Sequence, residues 1–409
     1  MLIFLPFYIL SIFIKGIRNR DYYHKFSGRF ALIEVVSAQK SIWIHALSVG
    51  EVNAAAPLIR KLLVQFSEYK IIVTTTTPTG MKQVIKLFRN TVEHHYIPYD
   101  LSIFVKIFFR KIKPVIGIIV ETEIWPNIIY NAKKFGIPTI LVNGRMSEKS
   151  KNRYKLLNGI IKNILNNFKM IIVRDEEDAK RFKELGVEEE RLRIAGNIKF
   201  DIDIDNKVLE KGNYFKSIIG ERKIFTAGST HEGEEEIILK VFKTINSNLL
   251  LVVAPRDPLR SKDIIELVKK FGLKGLLRTE IEQYNSSINV IVVDTLGELL
   301  SFYSISDVAF VGGSLVKKGG HNPLEPLLYG VPTCAGEYIY NFSELYSILT
   351  KKGLLKKVKN ESELRDVVNE FLSGSVKMSD LYKRITNFIN ENRGATDKVC
   401  LIIYDIIYQ

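Results

Sequence analysis

Residues 41–51 read SIWIHALSVGE. Ser41–His45 is an apolar run with no in–out alternation, Ala46–Glu51 is a turn of small residues, and Val52–Phe66 repeats its apolar side chains at helical spacing. A strand that is apolar on both faces and passes through a short turn into an amphipathic helix is the unit of a parallel sheet covered by helices on both sides. Working outward, the unit recurs at Lys70–Thr75, Val115–Val120, Pro138–Val142 and Met170–Val173. It restarts after Gly220 with Ile224–Ala227, Leu249–Ala254, Val290–Val293 and Val308–Val311. The polar, weakly patterned stretch Asp201–Asn213 separates the two series and reads as a solvated linker. The pattern predicts two doubly wound α/β domains, with ligands beyond the carboxyl ends of the strands and in the cleft between the domains.

Composition agrees with this reading. The chain has 409 residues, 46% hydrophobic and 25% charged, which excludes general disorder and leaves room for two cores. Its two cysteines, Cys334 and Cys400, are too few for a disulfide framework or a four-cysteine zinc site and point to a reducing compartment. A net charge of +14 points to anionic partners. Residues 1–14, MLIFLPFYILSIFI, form an uncharged apolar run followed by Lys15, Arg18, Arg20, Lys25 and Arg29 against the single acid Asp21. As a helix the run reaches about 21 Å, short of the roughly 30 Å hydrocarbon core. The expectation is a membrane-associated N-terminal helix with the rest of the chain on the cytoplasmic side.

Several motifs fail on inspection. Ala46-Leu47-Ser48-Val49-Gly50 lacks the first glycine of a nucleophile elbow, and Thr74–Lys82 has the wrong spacing for a phosphate P-loop. Gly312-Gly313 does not extend to G-x-G-x-x-G. Asp201, Asp203 and Asp205 imitate a calcium loop whose sixth position is Asn206 and whose twelfth is Gly212. The six histidines contain no H-E-x-x-H, so no metal site is argued for.

What remains are polar clusters at strand ends. Glu51 opens a helix, where the helix dipole favours its anion and a general-base role is open to it; taken alone, the reading as a plain N-terminal helix charge with no catalytic role wins. Glu121-Thr122-Glu123-Ile124-Trp125-Pro126 places two acids at a buried strand end, a costly choice. Asn197–Asp201 brings Lys199 near the domain boundary. In the second half, Gly228–Glu234 follows a strand and opens a helix, as a phosphate requires. Pro255-Arg256 offers a guanidinium fork. Asp294–Leu299 follows the next strand, and Gly312–Pro326 is a glycine-rich loop ending in a helix start. Four such clusters on one domain read as a nucleotide site.

Taken together, IWIHALSVGE, VTTTTPTG, YIPYD, ETEIWPN, NGRMS, GNIKFD, GSTHEGEE, APRDPLR, DTLGEL and FVGGSLVKKGGHNPLEP resemble, in order and along almost the whole chain, the Kdo (3-deoxy-D-manno-octulosonic acid) transferases of lipopolysaccharide biosynthesis. The resemblance implies a GT-B fold: a membrane anchor and basic collar over 1–30, an acceptor domain over 31–205, and a CMP-sugar domain over 206–409. The C-terminal helix of the last would cross back to the acceptor domain. It implies transfer of Kdo from CMP-Kdo to the glucosamine disaccharide of a lipid A precursor, lipid IVA, at the cytoplasmic side of the inner membrane. Inner-membrane lipids would be partners, nucleic acid would not, and no metal or cofactor would be used. By the same resemblance Glu51 corresponds to the proton acceptor, and Glu121 and Lys199 to groups that stabilise the transition state. Pro255, Arg256, Leu296, Gly297, Glu298, Asn322, Pro323, Leu324 and Glu325 correspond to the CMP site. The rivals are another GT-B nucleotide-sugar transferase or epimerase with a different donor, and, from charge alone, a membrane-associated nucleic-acid binder, for which no recognition motif is present.

Overall fold

A computed structural model describes residues 26–34, 39–201, 205–245, 248–373 and 376–408. The apolar segment 1–14, its basic flank as far as Lys25, and Asp203 lie outside the described residues. The chain divides into two compact units, one running to Asp201 and taking up Asn392–Gln409, the other spanning Ile202–Glu391.

The first unit is built on seven parallel strands: β1 (Ser41–His45), β2 (Lys70–Thr75), β3 (Glu93–Tyr96), β4 (Pro114–Val120), β5 (Thr139–Gly144), β6 (Met170–Val173) and β7 (Leu192–Ile194). Their order is β3-β2-β1-β4-β5-β6-β7, so the sheet grows outward in both directions from β1 and β4. Diverging loops at such a reversal leave a crevice at the carboxyl ends of the two strands. All five residues of β1 are buried, and the two faces have different neighbours. Ile42 and Ile44 enter a core with Leu58 and Leu62 of the helix Val49–Gln65 and with Phe66, which follows it. Trp43 points the other way, edge-on to Phe108 and Phe109 of the helix Ser102–Ile112 at 5.9 and 5.6 Å. Gly117 on the adjacent β4 makes room for that indole: a Cβ there would lie 2.8 Å from Trp43 Cε3.

The second unit repeats the plan with β8 (Lys223–Thr230), β9 (Leu249–Pro255), β10 (Gly275–Leu277), β11 (Val290–Val292), β12 (Val308–Val311), β13 (Thr333–Ala335) and β14 (Leu355–Lys357), in the order β10-β11-β9-β8-β12-β13-β14. Leu250, Val252 and Ile291 form its core with Phe215 and Phe302, whose rings stack at 4.6 Å. Two parallel doubly wound sheets are the architecture that the sequence pattern predicts.

Two features depart from that pattern. The strand β3, EHHY, is polar yet almost wholly buried, and its neighbours on β2 meet part of that polarity: Lys70 pairs with Glu93, and His94 Nε2 lies 3.0 Å from Thr75 Oγ1. The stretch read as a linker is in large part ordered helix. Asp205 caps the helix Asn206–Ile219 through the Lys207 N–H at 2.9 Å, and Asp201 is buried, accepting N–H groups from Gly394 and Thr396. No helix among the described residues is long and apolar enough to cross a membrane.

Because the Trp43 ring is wedged against two phenylalanines, it cannot swing away from an added methyl. Gly117→Ala is expected to destabilise the chain by about 1–3 kcal/mol through overpacking. Denaturant unfolding followed by Trp fluorescence measures this, and an unchanged midpoint would contradict the packing described.

Candidate active site

In the first unit the crevice at the ends of β1 and β4 gathers the acids. Ser48, in extended conformation, precedes the helix Val49–Gln65 without capping it by its side chain; Glu51, in the first turn, instead accepts the Leu47 N–H. Glu121 follows β4 with φ +60°, and this left-handed conformation costs a non-glycine residue about 1–3 kcal/mol. Its carboxylate meets Lys199 Nζ at 2.6 Å. Lys199 sits in a short turn, Ile198–Phe200, that is held from two sides. Asn197 Oδ1 accepts the Lys199 N–H at 3.1 Å, and the buried Asn143 Oδ1, at an irregularity in β5, accepts the Ile198 N–H at 3.3 Å. Glu123 accepts from the Trp125 indole N–H at 3.1 Å. Beneath Trp125 lies His45, at 1% exposure, with Nδ1 3.2 Å from the Thr74 carbonyl, so Nδ1 carries the proton. Burial lowers its pKa to about 4 and keeps the ring neutral.

The electrostatics of this cluster differ from the expectation drawn from the helix dipole. Glu51 is 8% exposed, and its carboxyl is pushed up from 4.5 to about 8. Burial is the main cause, followed by the negative charges of Glu121 and Glu123; the Leu47 N–H and Lys199 pull the other way and lose. Glu51 therefore holds a proton at neutral pH instead of resting as an anion. Glu123 is likewise raised, first by burial and then by Glu121, against its bond from Trp125.

In the second unit the loops after β11, β9, β8 and β12 stand side by side along the carboxyl edge of the sheet. Gly228–Glu234, expected to cradle a phosphate, is tied to the loop after β12 through its last residue. The buried Glu234 carboxylate accepts the N–H groups of Gly313 at 2.7 Å, Ser314 at 3.0 Å, Leu315 at 2.9 Å and His231 at 2.9 Å. Three of these donors belong to the loop after β12 and one, His231, to the Gly228–Glu234 stretch; burial raises the Glu234 carboxyl and the four N–H groups oppose it. Two loops cross closely here: a Cβ on Gly312 would lie 2.4 Å from the Ser229 carbonyl oxygen, so only glycine fits.

Cations are left at this edge. Arg256, after Pro255, donates its backbone N–H to the Thr230 carbonyl at 2.9 Å and leaves its side chain exposed. His231 and His321 stack with ring centroids 5.2 Å apart and Nε2 atoms 2.9 Å apart, a pair that sequence motifs did not reveal because 90 residues separate its members. His231 is lowered by burial and then by Lys318, with Arg256 and Arg260 adding and Glu235 opposing. Asn322 Oδ1 accepts the Leu324 N–H at 3.1 Å, and Pro323 and Leu324 are buried, setting up Glu325. The Glu325 carboxyl is raised by burial to about 7, with Arg256 opposing. Leu296 is exposed and Gly297 has φ +84°, whereas Glu298 is turned inward to Arg278, Lys211 and Thr295. The structure thus brings Arg256 near Glu325 and His231, and assigns the Glu298 carboxylate to holding its own loop.

The raised Glu51 has a thermodynamic signature. A carboxyl whose folded pKa is about 8 stabilises the fold fully below its unfolded value, and that contribution is lost as pH rises through the folded value. The neutral variant Glu51→Gln is expected to melt progressively higher than the parent between pH 5 and 8, the gap levelling off above 8. Thermal unfolding of both at pH 5, 7 and 9 tests this; a pH-independent gap would remove the raised carboxyl.

With this geometry in view, similarity to known proteins is informative. Residues 24–202 match the family described as 3-deoxy-D-manno-octulosonic-acid transferase (kdotransferase), and residues 231–389 match glycosyl transferases group 1. The chain is 35% identical over 406 residues, 98% of its own length and 95% of its relative's, to a 3-deoxy-D-manno-octulosonic acid transferase of Haemophilus influenzae. It is 29% identical to one from Rickettsia bellii, covering 98% and 96% of the two chains. The crystal structure of a UDP-GlcNAc 2-epimerase from Neisseria meningitidis, at 14% identity and a TM-score of 0.54, covers 91% of this chain and 100% of its own, and shares the GT-B-like fold. The chain is accordingly a glycosyltransferase of lipopolysaccharide biosynthesis, and it belongs to the Kdo transferase family.

Proposed function

We propose that the chain transfers Kdo from CMP-Kdo to a glucosamine hydroxyl of a lipid A precursor, lipid IVA, with Glu51 as general base. The reading is supported by membership of the Kdo transferase family, and its general-base part by the placement of Glu51, buried in the first turn of its helix beside Glu121 and Glu123 and raised to about 8. An alcohol that attacks a sugar must lose its proton as the new C–O bond forms, and a base with a pKa near ambient pH is best matched to that task. As the acceptor oxygen bonds to the anomeric carbon, the bond from that carbon to the CMP phosphate breaks. CMP leaves with the electron pair, and Glu51, acting from the deprotonated fraction that grows as pH approaches about 8, takes the hydroxyl proton. Glu121 and Lys199 supply fixed charges beside the reacting carbon, which passes through an oxocarbenium-like state. Arg256, the turn at Leu296-Gly297, and Asn322–Glu325 hold CMP on the second unit. Charge on the departing phosphate is met by cationic side chains and backbone N–H groups, so the reaction proceeds without a metal.

The test is CMP release and product mass with CMP-Kdo and a tetra-acylated lipid A precursor, run in EDTA. Wild type is expected to add Kdo, with kcat/KM rising along a limb centred near pH 8; Glu51→Gln is expected to lose about a hundredfold or more and to lack the limb. A variant as fast as wild type would take Glu51 out of the chemistry, and no product from folded wild type would overturn the donor or acceptor assignment.

The acceptor is a lipid, and we place the enzyme at the cytoplasmic face of the inner membrane, held there by the apolar segment 1–14 and its basic flank. A chain lacking residues 1–14 is expected to shift to the supernatant on carbonate extraction; unchanged membrane retention would refute the anchor.

A further inference from the structure

Asp201 ends the turn that carries Lys199, and it lies buried beside the start of the C-terminal helix Ala395–Tyr408. Its two carboxylate oxygens are divided between two donors: Oδ1 accepts the Gly394 N–H at 2.6 Å, and Oδ2 accepts the Thr396 N–H. This is a helix N-cap supplied from 193 residues away, with an anion at the positive end of a helix. The loop is seated closely on that end. Gly196 takes φ +104°, and a Cβ there would lie 3.3 Å from the Ala395 Cβ. The helix is fastened to Val49–Gln65, the helix that carries Glu51, and to Phe66 just past its end. Val399, Cys400 and Ile403 share a core with Leu58, Leu62 and Ile198; Lys61 pairs with Asp397; and the Phe66 ring stacks on Tyr408.

We infer that Asp201 is a positioning residue for the transfer: by capping the C-terminal helix it fixes Lys199 against Glu121, and the helix splints the Lys199 turn to the helix bearing Glu51. Asp201 touches no reacting atom in this arrangement. The inference rests on the catalytic reading of Lys199 given above.

The experiment is a double-mutant cycle on the full chain with Asp201→Asn, Lys199→Met and the pair, reading kcat, both KM values and thermal unfolding. Asparagine has one acceptor oxygen for two N–H groups and so releases one of them. Asp201→Asn is expected to fold and to lower kcat by about ten- to hundredfold, with both KM values within about threefold of wild type. In the Lys199→Met background the same change is expected to cost nothing further, because its route of action is already gone. Should Asp201→Asn fail to fold, Asp201→Glu, which keeps the charge and displaces it by one methylene, takes its place in the cycle with the same expectations. Losses that multiply in the double variant, or a kcat equal to wild type in the single one, would overturn the positioning role. If Lys199→Met alone retains full activity, the catalytic assignment of Lys199 fails instead, and the two failures are told apart.

Discussion

Three carboxylates and one ammonium group meet at the carboxyl ends of β1 and β4, and they cannot all be charged at once in so little water. Lys199 Nζ sits against Glu121, and Glu51, buried nearby, keeps its proton. The first unit is arranged so that this balance holds. The left-handed residues at 121 and 143 turn two strand ends into the crevice, and the Ile198–Phe200 turn presents the lysine. Burial sets how far the Glu51 carboxyl is raised. Moving Lys199 would leave the remaining acids with less to offset their repulsion. The groups proposed for the chemistry therefore also govern one another's protonation, and backbone held under strain keeps them together.

The second unit solves a different problem. Its strand-end loops need a fixed shape, and the Glu234 carboxylate provides it by binding four backbone N–H groups across two loops. A buried carboxylate so satisfied rigidifies its surroundings. Glu298 does similar work in its own turn, held by Arg278 and Lys211. Side chains that motif reading assigns to ligand contact are in part scaffold, leaving Arg256, Leu296 and the backbone around Gly297 as the surfaces offered outward.

Much of the fold was legible because parallel strands buried on both faces must be apolar throughout. Ser41–His45, Lys70–Thr75 and Val308–Val311 could be bounded from the sequence to the residue. Glu93–Tyr96 could not, since its polar side chains become tolerable only once Lys70 and Thr75 stand beside them, an effect of sheet order and not of local pattern. The same division runs through the site. Glu51, Glu121 and Lys199 announce themselves as polar residues at strand ends, and their association in one unit follows from the topology. The state of Glu51 was misjudged because the dipole argument is local while burial and neighbouring acids are tertiary. Asp201 was read as linker for the same reason: its partners lie nearly two hundred residues downstream.

That distance has a consequence for how the chain is made. The core of the first unit includes Ala395, Val399, Cys400 and Ile403, which leave the ribosome only after the whole second unit, Ile202–Glu391, has been translated. At bacterial elongation rates of about 5–20 residues per second, that is a delay on the order of 10–40 s. During it the first sheet waits with one flank of its apolar helix uncovered and the Lys199 turn uncapped. The first unit is thus the first to be synthesised and the last to be completed, and Asp201 gains its helix partners only once the second unit has been made.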